Sequence, residues 1–118
     1  MEILVIDDDR YVRTFLRMLL EGEGHFVTEA VNGIDGERKY RDCQADLIIT
    51  DIIMPGMNGK ELSDKLNKIK AIPSIFVSGY SQNVFTEKGI ITEDITFIQK
   101  PFTKEKLFKA INEKLPHS

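Results

Sequence analysis

The chain has 118 residues, 42% hydrophobic and 30% charged, with 16 basic against 19 acidic side chains and a formal net charge of −3. That length suits one compact domain with a real core, and so mild a charge sets up no broad field for nucleic acid or anionic membrane. No stretch reaches the roughly 18–20 apolar residues of a membrane span. The opening MEILVIDDD shows no basic-then-apolar leader. The lone Cys43 has no partner for an internal disulfide. A cytoplasmic setting without signal peptide is expected, with Cys43 as a buried small hydrophobe.

In chain order, EILVI (2–6) is a nearly continuous apolar run, read as a strand covered on both faces, and it is followed by Asp7, Asp8 and Asp9. Val12, Phe15, Leu16, Leu19 and Leu20 recur at helical spacing and predict a helix over 10–22. Asp9 is its expected N-cap, and Gly22 and Gly24 close it. FVTEA (26–30) is more polar and suits a less covered strand. A helix is expected over 33–43, weakened by Gly36 at about 1 kcal/mol. LIIT (47–50) is a third strand, leading at once into Asp51 and the turn around Pro55. Leu62, Leu66 and Ile69 give 59–70 an apolar helical edge, and Pro73 ends the connection.

SIFVS (74–78) is a fourth strand. The stretch 81–94 has one or two helical turns, then Gly89 and no sustained apolar stripe, so an irregular or mobile connection is expected. TFIQ (96–99) is the fifth strand. A last helix over 103–115 is marked by Leu107, Phe108, Ile111 and Leu115, with 116–118 as a tail. Strands alternating with helices imply an α/β domain over 1–118, with a parallel sheet between two helical layers.

In such a sheet functional groups gather at the carboxyl ends of the strands. There the sequence sets Asp7, Asp8 and Asp9 after the first strand, Asp51 after the third, Ser78–Gly79 after the fourth and Lys100–Pro101 after the fifth. Each has a simple alternative role: Asp9 as a cap, Asp7 and Asp8 beside the helix dipole, Ser78 in a turn, Lys100 on the surface. Together they point elsewhere. Crowded carboxylates repel and demand a cation. A hard divalent ion, Mg²⁺ or Mn²⁺, beside a lysine and a hydroxyl suits the handling of a phosphoryl group. Asp51 is then the candidate nucleophile, forming an aspartyl phosphate.

These residues, from ILVIDDD through LIITDIIMPGMNG and IFVSGYS to FIQKPF, resemble the receiver domain of two-component response regulators over essentially the whole chain. The resemblance implies a flavodoxin-like (βα)5 fold with strand order 2-1-3-4-5. It implies phosphorylation of Asp51 by a histidine of a sensor histidine kinase or a histidine phosphotransfer protein. It also implies a metal site of Asp8 directly, Asp7 mainly through water, Asp51, and the Ile53 backbone carbonyl. Ser78 and Lys100 match the hydroxyl and lysine that hold the phosphoryl group, and a cis bond is expected before Pro101. Ser78 and Phe97 form the implied switch, which biases the 81–114 surface. That surface is also where a homodimer is expected.

Neither His25, expected at a strand edge, nor His117 in the tail is the donor histidine. Ile53 stands where many receivers carry a polar side chain, and Tyr80 follows Ser78 by two residues, so slow self-dephosphorylation is expected. SGYSQ and GIITEDITFIQKPF are also similar to receivers fused to hybrid sensor kinases. A stand-alone regulator and an excised module both fit, and the length leaves no room for a DNA-binding output domain, so direct nucleic-acid or membrane contact is not expected.

Three rivals fit less well. A haloacid-dehalogenase-type phosphatase shares the Asp7–Asp9 spacing, but it needs an acidic pair on a strand after the lysine, where this chain has PFTKEKLFKAI. An FMN-binding flavodoxin needs a phosphate loop after the first strand, where three acids stand instead. A receiver that accepts no phosphate would usually have lost one of these groups.

Overall fold

The computed structural model describes residues 1–115. The expected tail 116–118, with His117, lies outside them. Five strands alternate with five helices: β1 Glu2–Ile6, α1 Arg10–Gly22, β2 Phe26–Ala30, α2 Gly33–Cys43, β3 Leu47–Asp51, α3 Gly59–Ile69, β4 Ser74–Ser78, α4 Gln82–Glu87, β5 Thr96–Gln99 and α5 Lys104–Lys114. All pairings are parallel, in the order β2-β1-β3-β4-β5. That is the flavodoxin-like doubly wound arrangement.

Alternation along each strand splits the core into two layers. Ile3 and Val5 of β1 join Leu47 and Ile49 of β3 under Leu16 and Leu20 of α1 and Leu107 and Ile111 of α5. Leu4, Ile6 and Ile48 face the other way, onto Tyr40 of α2 and Leu62 and Leu66 of α3. Each such fully buried aliphatic side chain stabilises the fold by about 1.5–3 kcal/mol relative to exposure. Central strands covered on both faces are apolar at nearly every position, which is why EILVI and LIIT show no alternation. β2 lies at the sheet's edge and is only partly buried, matching its more polar sequence. No helix among the described residues is long and apolar enough to cross a membrane.

The helix caps follow local chemistry. The Asp9 side chain accepts from the Tyr11 N–H, and Asn32, Asn58 and Thr103 cap α2, α3 and α5 in the same way. Thr103 and Lys70 are therefore cap residues rather than helical ones. Gly22 is the last residue of α1, Glu23 its C-cap, and Gly24 takes the left-handed turn with φ +86°.

Four expectations need correction. Strand β3 runs one residue further than LIIT and includes Asp51 itself, because the Asp51 backbone still pairs with β4 at Val77. The stretch after β4 is not wholly irregular: Ser81 precedes a six-residue α4, which anchors Phe85 in a small cluster with Ile52, Phe76 and Ile91. Phe15 leaves the buried stripe of α1 and is exposed at its edge, 5.7 Å from the ring of Phe102. Cys43 is only half-buried, at the end of α2, where burial still pushes its thiol pKa up. His25 sits just before β2, half-buried, as a strand-edge residue should.

Gly36 explains itself here. A Cβ on it would lie 3.1 Å from Ile6 Cγ1 and 3.3 Å from Leu62 Cδ2, so the bare backbone lets α2 settle on β1. Gly36→Leu is expected to lower the unfolding free energy by about 1–3 kcal/mol through overpacking, outweighing a helix-propensity gain of about 1 kcal/mol. Urea denaturation checks this, and an unchanged midpoint would mean that α2 sits loosely.

Candidate functional site

Parallel strands deliver their last residues to one edge. Asp7 follows β1, Asp51 ends β3, Ser78 ends β4, and Lys100 follows β5. Carboxylate oxygens of Asp7, Asp8 and Asp51 lie within 4.8 Å of one another. Asp7 is 2% exposed and Asp51 8%, whereas Asp8 is open to solvent. Between the two buried acids reaches the Lys100 ammonium, with Nζ 2.8 Å from Asp7 Oδ2 and 3.4 Å from Asp51 Oδ2. Its backbone is anchored as well, the Lys100 N–H donating to the Ser78 carbonyl at 2.7 Å. The Lys100–Pro101 peptide is cis, as the resemblance implied.

The electrostatics follow from burial and crowding. Burial and then the neighbouring charge of Asp7 push the Asp51 pKa above the usual carboxylate value, against opposing pulls from Lys100 and the Ile53 N–H. For Lys100, burial works to lower the pKa, but the hydrogen bond and charge of Asp7, followed by those of Asp51, outweigh it and hold the ammonium above its ordinary value. One ammonium among three carboxylates leaves negative charge in surplus, and the donors are all hard oxygens. That set fits a small divalent cation such as Mg²⁺, which takes carboxylate, carbonyl and water oxygens.

The other expected residues surround this cluster. The Ile53 N–H donates to Asp51 Oδ1 at 3.3 Å, and its side chain is 50% exposed on the rim. Ser78 is buried, its Oγ accepting from the Tyr80 N–H at 3.2 Å. Tyr80 itself is 59% exposed, edge-on to Phe85 with ring centroids 6.4 Å apart. Phe97 is half-buried in β5, 6.1 Å from Phe85 on its other flank. Asp9 stays a helix cap, while its N–H donates to Asp7 Oδ1 at 2.9 Å.

Three supporting residues had escaped the sequence. Arg13 Nη1 donates to the Asp7 carbonyl at 2.8 Å. Buried Thr50 donates its hydroxyl to the Asp51 carbonyl at 2.9 Å. Gly59 lies so close that a Cβ there would collide with that same carbonyl oxygen. An arginine in a first helical turn and a threonine in a strand look ordinary, and only the glycine after an Asn N-cap carried a faint signal.

Residues 3–112 match the family model described as the response regulator receiver domain. The chain is 34% identical to the transcriptional regulatory protein ResD of Bacillus subtilis over 102 residues, 86% of this chain and 42% of ResD. It is 30% identical to the chemotaxis protein CheY of Halobacterium salinarum over 115 residues, 97% of this chain and 96% of CheY. Thus it spans less than half of the one relative and nearly all of the other. Among solved structures, the response regulator protein TrrA of Thermotoga maritima, in complex with Mg²⁺-BeF, superposes with a TM-score of 0.84 at 29% identity, covering 97% of this chain and 98% of TrrA.

The raised Asp51 pKa has a signed consequence for stability. A carboxyl that binds its proton more tightly folded than unfolded costs stability once charged, and the cost is relieved as pH falls through the raised value. Asp51→Asn is neutral at every pH. In chelator at neutral pH it is expected to unfold at higher urea than the parent chain, with the gap narrowing as pH falls through the raised value towards the unfolded one. A parent chain at least as stable at neutral pH would contradict this.

Proposed function

The chain belongs to the response regulator receiver domain family, and on that premise we propose that residues 1–118 act as one receiver unit in the cytoplasm. It takes a phosphoryl group from a histidine of a sensor histidine kinase or a histidine phosphotransfer protein onto Asp51, with Mg²⁺, and so switches the 81–114 surface. Receiver domains are signalling domains of two-component systems that interact with such partners and bind Mg²⁺ at an acidic pocket. The observation that carries the reading for this chain is the meeting of Asp7, Asp8 and Asp51 oxygens within 4.8 Å, with the Lys100 ammonium reaching both buried acids.

The carboxylates of Asp7, Asp8 and Asp51 and the backbone carbonyl of Ile53 would hold the cation. Asp8, open to solvent, would be the direct ligand, and Asp7, already engaged with Lys100 and the Asp9 N–H, would act mainly through water. Bound Mg²⁺ supplies the positive charge that lets an anionic carboxylate meet an anionic phosphoryl group. An Asp51 oxygen forms the new P–O bond as the P–N bond to the donor imidazole breaks. Lys100, pinned beside Asp51, balances charge on the phosphoryl oxygens. The Ser78 hydroxyl turns to donate to one of them. An apolar recess of about 520 Å³, lined by Tyr11, Val12, Phe15, Pro101 and Phe102 beside Lys100, supports approach of the donor from the α1 side.

When Ser78 turns inward it leaves space beside β5, and Phe97 rotates into it. The short α4, held chiefly through Phe85 in its small cluster, is a suitable bistable element. The altered surface of α4, β5 and α5 then meets an effector or a second copy of the chain.

Incubation with acetyl phosphate and Mg²⁺, followed by intact mass, is expected to add one phosphoryl group to the parent chain and none to Asp51→Asn. Chelation should abolish the addition. A parent chain that stays unmodified would overturn the proposal. A second outcome concerns lifetime. The Ile53 side chain offers no hydrogen bond to orient a hydrolytic water, and Tyr80, two residues after Ser78, would shield the phosphate further, so the acyl phosphate should be long-lived. Ile53→Asn is expected to shorten its half-life severalfold at constant pH and Mg²⁺; equal or slower decay in that variant would refute the assignment.

A further inference from the structure

Each polar group of Asp7 is engaged by a different part of the chain. Its N–H donates to the Ala30 carbonyl at the end of β2, at 3.1 Å. Its Oδ1 accepts from the Asp9 N–H, its Oδ2 faces Lys100, and its carbonyl oxygen accepts from Arg13 Nη1. The first three contacts belong to the sheet, the loop and the acid cluster. The fourth comes from α1 and engages the backbone of Asp7, leaving its carboxylate to the other contacts.

Arg13 stands in the first turn of α1, yet its side chain is only 14% exposed. While Nη1 holds Asp7, its Nε donates to Glu29 Oε1 at 3.2 Å. Glu29 is braced in turn. Arg17 Nε reaches its other oxygen at 2.7 Å, and Lys39 Nζ bonds its backbone carbonyl at 2.6 Å. A planar guanidinium tied at two edges has little rotational freedom, and a lysine could not span both acceptors. An exposed ion pair would contribute little, but this one is mostly buried and ends on the backbone of a buried acid.

We propose that Arg13, braced by Glu29, is a positioning residue that holds the Asp7–Asp8 corner in register and thereby sets the affinity of the acid cluster for Mg²⁺. The inference rests on the Mg²⁺-dependent phosphorylation of Asp51 proposed above and assigns its supporting shell. Between Asp7 and the first residue of α1 lie only Asp8 and Asp9, so a shift of the Asp7 carbonyl passes directly to both. Partners of this outer kind commonly change metal affinity 10–100-fold when removed.

The test compares the full chain with Arg13→Met, Arg13→Lys and Glu29→Gln. Calorimetry reads Mg²⁺ affinity, NMR reads amide exchange at Asp9 in chelator, and phosphorylation by acetyl phosphate is timed at limiting and saturating Mg²⁺. In Arg13→Met, Mg²⁺ binding should weaken about tenfold. The Asp9 amide should exchange severalfold faster without metal, and saturating Mg²⁺ should restore most of the phosphorylation rate. Arg13→Lys should stay close to Arg13→Met, and Glu29→Gln, which keeps one oxygen acceptor, should fall between them and the parent.

A lowered unfolding midpoint with unchanged Mg²⁺ affinity and unchanged Asp9 exchange would reduce Arg13 to a helix brace and overturn the inference. If Arg13→Met fails to fold, Glu29→Gln decides on the same readouts. A parent chain that neither binds Mg²⁺ nor takes phosphate removes the proposed function, and this inference with it. A parent that does both, beside variants that match it, removes the inference alone.

Discussion

Two carboxylates sit almost out of water at the ends of neighbouring central strands, and a single ammonium stands between them. Burial and then the charge of Asp7 push the Asp51 pKa up, and the Lys100 ammonium, within reach of both carboxylates, opposes that rise. Lys100 comes from the far side of the sheet, 93 residues along the chain from Asp7. Its position therefore depends on β4 and β5 being laid down in order beside β3. The acid pair thus couples the middle of the sheet to its edge.

That coupling is unevenly supported. Around β1 and β3 the backbone is held tightly: Thr50 and Gly59 crowd the Asp51 carbonyl, and Arg13 holds the Asp7 carbonyl. Long helices α1, α2 and α3 cover this half of the sheet on both faces. Beyond β4, α5 covers one face and the other is more thinly covered. Six residues of α4 and the turns up to β5 rest on a cluster built around Ile52, Phe76, Phe85 and Ile91. Few buried apolar contacts mean a low cost of local rearrangement. The firmly packed half holds the acid cluster, and the thinly packed half is where the switch proposed at Ser78 would be transmitted.

The same asymmetry explains the aromatic line Tyr80–Phe85–Phe97. Phe85 is buried and touches both neighbours, edge-on to one and tilted to the other, while Tyr80 and Phe97 remain open on one side. Ring contacts of this kind contribute about 0.5–1.5 kcal/mol each beyond their burial, small enough to be exchanged for others in the switch proposed at Ser78.

How much of this was written in the sequence depends on the range of the interaction. Continuous apolar runs, helical stripes and caps are local, so strands such as EILVI and SIFVS and the Asp9 cap could be read to the residue. Asp7, Asp8, Asp51, Ser78 and Lys100 were legible as strand-tip residues because parallel topology sends strand ends to one edge. What chain order could not contain were distances between elements far apart in it. Only tertiary packing decided that Lys100 lies nearer Asp7 than Asp51, that Phe15 faces outward against Phe102, and that Gly59 must have no side chain. The bracing of Asp7 by Arg13 and Glu29 was likewise invisible, since a charged residue on a helix is read as solvated until a neighbouring strand buries it.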